Sequence, residues 1–389
     1  MSRDLLIFAL AVAGLGIATG IHETSFNNYL SDVFSMGTSA RGFLEFPREL
    51  PGLLAVFFAG ALISLGLIRV AALSLALLGL GLFGLGFLST SVPTMVVWLI
   101  IWSIGNHLFM PLEGSIAVSL AKENSIGEVL GKLGSIRLAT TILGAGIIWL
   151  GFGNFLQENL SYRHTYLAAA VIAIGSVIAL MHIRPLPTKG KQTKLVWRKD
   201  YKIYYWLSLL WGVRKQIFIT FAPWLLVQSF DQPASIIAQL WIVTSIIGVF
   251  FRPFLGKLSD TFGERALLLG EIPITIGLFL GYAFSPFFEY GVYIVFVCFV
   301  IDSQLSALTM VRTSYVSKIL ENENDLAPTL AMGVSLDHVS AMIMPIFGGF
   351  LWATFGSPTL FLSAIVFILI NGFFANQAVV PKDVESAAA

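Results

Sequence analysis

Apolar runs of about 20 residues, enough for a helix to cross the bilayer core, recur along this 389-residue chain between short charged or turn-rich interruptions. Twelve of them lie near residues 5–30, 41–66, 69–90, 93–119, 132–155, 164–184, 203–228, 234–255, 265–287, 290–316, 327–354 and 357–380. The pattern predicts an all-α integral membrane protein with twelve transmembrane helices. The first run opens as MSRDLLIFALAVAG, continues past Thr19 without a small-residue cleavage site and carries His22 and Glu23. It therefore reads as a retained first helix rather than a cleaved leader.

The interruptions orient the runs. Arg3, Arg69, Lys122, Lys132, Arg184, Lys257, Arg265, Lys318 and Lys382 fall on one side, with a basic cluster from Lys189 to Lys202, whereas the other side holds Arg41 and Arg163. Lys and Arg accumulate in cytoplasmic loops, so both termini are expected on the cytoplasmic side of the cytoplasmic membrane. The loop Pro185 to Asp200, PLPTKGKQTKLVWRKD, is the one real linker. It divides the chain into six-helix halves, 1–184 and 201–389, joined by 185–200.

Composition narrows the function classes. Charged residues make up 12% of the chain and hydrophobic residues 57%, against about 25% charged in soluble domains. A net charge of +1 and the lack of a basic stripe exclude nucleic acid as a partner. No phosphate-binding G-x-x-x-x-G-K-[ST] occurs, the five histidines are scattered, Cys298 is alone, and no G-x-S-x-G is present. No cofactor, metal or catalytic constellation is expected, and an enzyme is not indicated.

One interruption is distinctive. GKLSDTFGER, Gly256 to Arg265, places Gly256 where helices approach, Asp260 near a helix end, Gly263 where a turn needs φ > 0, and Arg265 at the start of the next run. This GxLxDxxGxR pattern between two spans resembles the loop motif of the major facilitator superfamily. At an offset of about 196 residues, Gly60 to Ser64 aligns with Gly256 to Asp260 and Arg69 with Arg265, so Ser64 stands in place of the first-half acid. At about 192, GIHETSFNNY aligns with GVRKQIFITF, setting His22 and Glu23 over Arg214 and Lys215; at about 199, Glu113 lies over Arg312. The resemblance implies two parallel six-helix halves, a monomer working by alternating access, and spans one, four, seven and ten lining a central cavity. It also assigns Gly256, Asp260, Gly263 and Arg265 to a cytoplasmic latch. Arg312, near the end of span ten, is expected to face Asp260.

Charges inside the runs supply the candidate site, because an intramembrane charge needs a partner or a water-filled cavity. Arg214 lies about 16 Å along its helix from Ile203, near the bilayer midplane. Its expected partner is Glu23 or Asp302, with a structural ion pair and a substrate role both open. Glu23 and Asn27 share a face with Thr19. His107 shares one with Ser103, where a neutral core histidine bonded to a carbonyl is the competing reading. Glu45, Arg48 and Glu49 at i, i+3 and i+4, between Pro47 and Pro51, allow an arginine to be neutralised within its own helix. Arg137 and Asp337–His338 either pair or contact solute. Gly131, Gly134, Gly144, Gly146, Gly348 and Gly349 are expected to serve helix packing.

The reading that results is a secondary transporter of a small polar, anionic organic solute, coupled to protons. Arg214 and Lys215 would attract the anion; Glu23 or Asp302 would carry the proton; Asn27, Asn106, His107 and Gln304 would bind the solute. An exporter of amphipathic drugs or lipids, suggested by 32 Phe and 9 Trp, and a non-transporting membrane receptor are the alternatives.

Overall fold

The computed structural model describes residues 2–62, 65–122, 126–153, 161–186, 197–322 and 325–380. Ser64, the basic loop from 187 to 196 and Lys382 lie outside the described residues. All regular structure among the described residues is helical. The order is α1 (Arg3–Phe34), α2 (Thr38–Leu62), α3 (Leu67–Phe87), α4 (Val92–Leu120), α5 (Ile126–Phe152), α6 (Tyr162–Met181), α7 (Lys202–Phe230), α8 (Ala234–Phe284), α9 (Gly291–Leu305), α10 (Thr309–Ile319), α11 (Leu326–Phe355) and α12 (Ser357–Asn376). Helices α1 to α7 follow the first seven predicted spans. Spans eight and nine run together as α8, which breaks at Gly263 with φ 78°. Nothing crowds the Gly263 Cα, so the positive φ alone favours glycine there. Span ten is α9 and α10, joined by a 3-10 turn at Ser306–Leu308.

Among the described residues, nine segments are long and apolar enough to cross a membrane, and the one from Ala234 to Phe287 covers two predicted spans. Helices α2 and α7 fall outside that set. The first carries Arg41, Glu45, Arg48 and Glu49, and the second Arg214, Lys215 and Gln216. Large apolar side chains such as Leu10, Phe250, Phe254, Val366 and Phe373 are exposed. Such a surface suits lipid, where close packing rather than hydrophobic burial holds helices together.

The chain forms two compact units. The first comprises Met1–Met36, Pro47–Gln192 and Gln232–Ile242. Within it α1 packs along α5 and α6, and α3 along α4 and α6. A Cβ on Gly144 would lie 3.0 Å from the Gly20 Cα, so α1 and α5 meet backbone to backbone at these two glycines. Gly131, Gly134 and Gly146 have open space beside them and serve no such contact. The start of α8 is tied into this unit, where the Asn28 amide donates to the Gln232 carbonyl at 2.8 Å.

The second unit comprises Gly37–Phe46, Thr193–Asp231 and Val243–Ala389. Helix α7 packs along α11 and α12. The first turns of α2 belong here: Trp224 Nε1 donates to Thr38 Oγ1 at 3.1 Å, and a Cβ on Gly349 would lie 3.1 Å from the Gly42 Cα. Just before α7, Arg198 grips Asp325 with Nε at 3.0 Å and Nη2 at 3.1 Å, and the Tyr201 hydroxyl donates to the same carboxylate at 3.2 Å. That three-point hold fixes the start of α7 to the start of α11.

Candidate functional site

The densest intramembrane chemistry lies in the second unit, where α7 presents Trp211, Arg214, Lys215 and Gln216 within two turns. Arg214 Nη2 donates to the Asp302 carboxylate and, at 3.3 Å, to the Asp302 carbonyl. Of the two partners expected for Arg214, Asp302 is one the structure supplies. A second carboxylate, Glu271 of α8, lies 3.7 Å from Arg214 Nε and accepts from Arg312 Nη1 at 3.3 Å. Glu271 thus bridges two arginines. Trp211 packs against both guanidiniums, 3.8 Å from Arg312 and 5.0 Å from Arg214 to its ring. All four ionisable side chains are buried. Two positive and two negative charges cancel, which is the condition for keeping them at membrane depth.

The network is balanced in charge but not in hydrogen bonds. Arg214 Nε, Arg312 Nε and Nη2, Glu271 Oε1 and Asp302 Oδ2 are buried without a protein hydrogen-bond partner. The hydroxyl of Tyr282 on α8 is likewise unpartnered. Open donors and acceptors in a low-dielectric interior are costly unless water, a proton or a solute completes them.

Neighbouring residues on α7 reach elsewhere. Lys215 Nζ lies 2.5 Å from Asp337 Oδ2 on α11, and Gly212 makes room for that contact, since a Cβ there would lie 2.7 Å from Asp337 Oδ1. Gln216 Nε2 donates to Glu45 Oε2 at 2.8 Å, and Glu45 also pairs with Arg41 one turn earlier in α2. Gln304 is spent on the backbone: its amide donates to the Thr244 carbonyl at 3.0 Å, joining α9 to α8.

In the first unit, Glu23 is partly exposed and lies 3.6 Å from Nδ1 of the fully buried His22. The His22 ring stacks on Trp102 at 3.9 Å, and neither of its nitrogens has a hydrogen-bond partner. Asn27 is buried and Asn106 half-buried. Arg48 is neutralised within its own helix, as expected, but by the adjacent Glu49 at 2.9 Å rather than by Glu45. His107 Nδ1 lies 3.0 Å from both the Ser103 carbonyl and hydroxyl, and its Nε2 lies 3.8 Å from Glu49. Arg137 pairs with Glu113 of α4, so Glu113 has a partner on the adjacent helix.

The predicted pairing of Asp260 with Arg312 is not formed. Arg312 is buried on Glu271 and Trp211, whereas Asp260 is exposed and has no ion pair among the described residues. Burial explains the choice: a guanidinium inside the helix bundle requires an equally buried acid, and Asp260 at the end of a turn is not one. The acid of this loop that does bind α10 is Glu264, with Ser314 Oγ at 2.6 Å and Lys318 Nζ at 2.7 Å. Arg265 donates to Asn376 Oδ1 of α12 at 2.6 Å. Sequence reasoning missed Glu271, Trp211 and Gln216. Glu271 had a signal, as the single acid in the apolar stretch ALLLGEIPITIG.

A family model described as Major Facilitator Superfamily matches residues 6–325. No curated protein matches the chain significantly. Among solved structures, a point mutant of the nucleoside transporter NupG aligns with TM-score 0.81 at 16% identity over 97% of this chain and 100% of that one. A D-xylose-proton symporter aligns with TM-score 0.72 at 18% identity over 97% of each chain. A bacterial homolog of the human lysosomal transporter Spinster aligns with TM-score 0.68 at 16% identity over 96% of each.

Proposed function

Because the chain belongs to the Major Facilitator Superfamily, and is thus a multi-pass membrane transporter, we propose that it moves a small, uncharged, polar organic solute across the cytoplasmic membrane in exchange with or alongside protons. The observation that carries this reading is the buried Arg214–Asp302–Glu271–Arg312 network, neutral overall and with open oxygens on both acids. A carboxylate at membrane depth that shares an arginine with a second carboxylate is poised to take a proton, since one added proton relieves the repulsion between the acids. Asp302 and Glu271 are the coupling pair in this reading, with Glu23 beside His22 as a further acid in the first unit.

An uncharged solute fits better than the anion suggested by Arg214 and Lys215 as bare cations. Each cation already has its carboxylate, so an anion would have to break an ion pair to bind. Within the first unit, Glu23, Asn27, Asn106 and His107 are the polar groups we take as candidates for solute contact. The fold's likeness to a nucleoside transporter and a D-xylose-proton symporter points to the same chemical range. Gly256, Asp260, Gly263 and Arg265 form the turn of α8, away from the solute path, with both chain termini cytoplasmic and the monomer as the working unit.

The test is counterflow and gradient-driven uptake of radiolabelled uridine and D-xylose in proteoliposomes. The reading predicts that one of them accumulates against its gradient only while the interior is alkaline. Preference for a dicarboxylate or an organic phosphate over both would return the assignment to an anion.

A further inference from the structure

Beside the charged network, α7, α10 and α11 line an open cavity of about 70 Å³ in the second unit. Its lining is mixed in a particular way. Arg312 and Trp211 come from the network itself; Tyr204 and Ser208 extend down α7; Thr309 and Thr313 come from α10. Helix α11 contributes Asp337, whose Oδ2 holds Lys215 while Oδ1 has no hydrogen-bond partner. Both threonine hydroxyls donate to carbonyls of their own helix, Thr309 to Ser306 at 3.0 Å and Thr313 to Thr309 at 3.1 Å. What they offer a ligand is therefore lone pairs. Arg312, 2% exposed, has two nitrogens, Nε and Nη2, whose N–H groups have no acceptor in the protein.

The wall is closed by a glycine. A Cβ on Gly333 would overlap the Tyr204 hydroxyl and lie 2.8 Å from the ring carbon that bears it. Any larger residue at 333 pushes the tyrosine away from α11.

We propose that this cavity is a second solute subsite, which takes a vicinal diol from the uncharged solute. The size admits it, since a space of about 70 Å³ is well above the roughly 10–15 Å³ that one water needs, and a diol places two oxygens of that kind. The chemistry fits as well: diol hydroxyls donate to Thr309, Thr313 and Asp337 and accept from Arg312, whereas an anion would meet Asp337 and a hydrocarbon would leave every one of these groups unmet. Arg312 also gives the subsite a consequence. It shares Glu271 with Arg214, so a diol that draws on Arg312 alters the acid that the proton site depends on. The subsite rests on the transport reading, and the experiment separates the two.

A Thr313→Cys substitution in a Cys298→Ser background places one thiol at an exposed position of the cavity wall. Its labelling rate by a methanethiosulfonate reagent is measured in proteoliposomes with uridine, 2′,3′-dideoxyuridine and D-xylose, alongside transport of each. The expected result is that a transported diol slows labelling severalfold and the dideoxy compound does not. In parallel, Gly333→Ala, whose Cβ displaces Tyr204 from the cavity wall, raises the half-saturation concentration for the diol solute severalfold with its proton dependence intact. Transport of a diol solute without protection, or equal protection by the dideoxy compound, overturns the subsite and leaves the transport reading standing. Absence of transport for both uridine and D-xylose, with no protection by either, overturns the transport reading and the subsite together.

Discussion

Glu271 is the residue on which the network turns. Among the described residues it is the acid that pairs with both Arg214 and Arg312, and both arginines also press on the indole of Trp211. Removing its charge leaves two buried cations with one acid between them, and breaking a buried pair in this way costs about 3–5 kcal/mol. Glu271→Gln is therefore expected to lower folded yield and thermal midpoint more than Asp302→Asn, because the latter leaves Arg214 near Glu271. Size-exclusion recovery and unfolding in detergent give the comparison. Equal losses for the two substitutions would contradict the bridging role of Glu271.

At the scale of elements, the helices meet where glycines allow it. Gly20 against Gly144 sets the approach of α1 and α5, and Gly42 against Gly349 that of α2 and α11. Filling such a contact costs about 1–3 kcal/mol through overpacking. Gly144→Val is expected to destabilise by that order, whereas Gly146→Val, with open space beside it, changes little; thermal unfolding of the two variants checks it. The contrast also shows how far the sequence could be read. Apolar runs and turn residues marked the helices, and Gly263 was legible as a positive-φ turn because backbone sterics act locally. The charges of α2 at i, i+3 and i+4 were legible for the same reason as helix-neutralised, although Arg48 closes on its neighbour Glu49 and Glu45 pairs with Arg41. Which glycine in a small-residue pattern faces another helix depends on helix rotation, which composition does not reveal. The partner of Arg312 was misjudged likewise. Asp260 was close in the expected topology, but the arginine turns inward to an acid eleven residues further along α8, and only packing of α7, α8 and α10 together selects it.

At the scale of the molecule, the α8 turn holds the second unit together through Glu264 rather than Asp260. Glu264 is buried and bonded to Ser314 and Lys318, while Asp260 is exposed. Glu264→Gln is expected to lower the thermal midpoint and Asp260→Asn to leave it nearly unchanged, since exposed charges contribute about 0–1 kcal/mol. The reverse order would put the stabilising contact of this turn at Asp260.

In the proposed mechanism the proton used for uphill transport is carried by the buried acids of α8 and α9. The most direct measurement compares gradient-driven accumulation with solute exchange for Asp302→Asn in proteoliposomes, per folded protein. Asn keeps the shape of the side chain and one oxygen that can accept from Arg214 but cannot cycle a proton. Exchange is expected to persist while accumulation under an imposed proton gradient is lost. Accumulation at the unsubstituted level in Asp302→Asn, with its proton dependence unchanged, would contradict it.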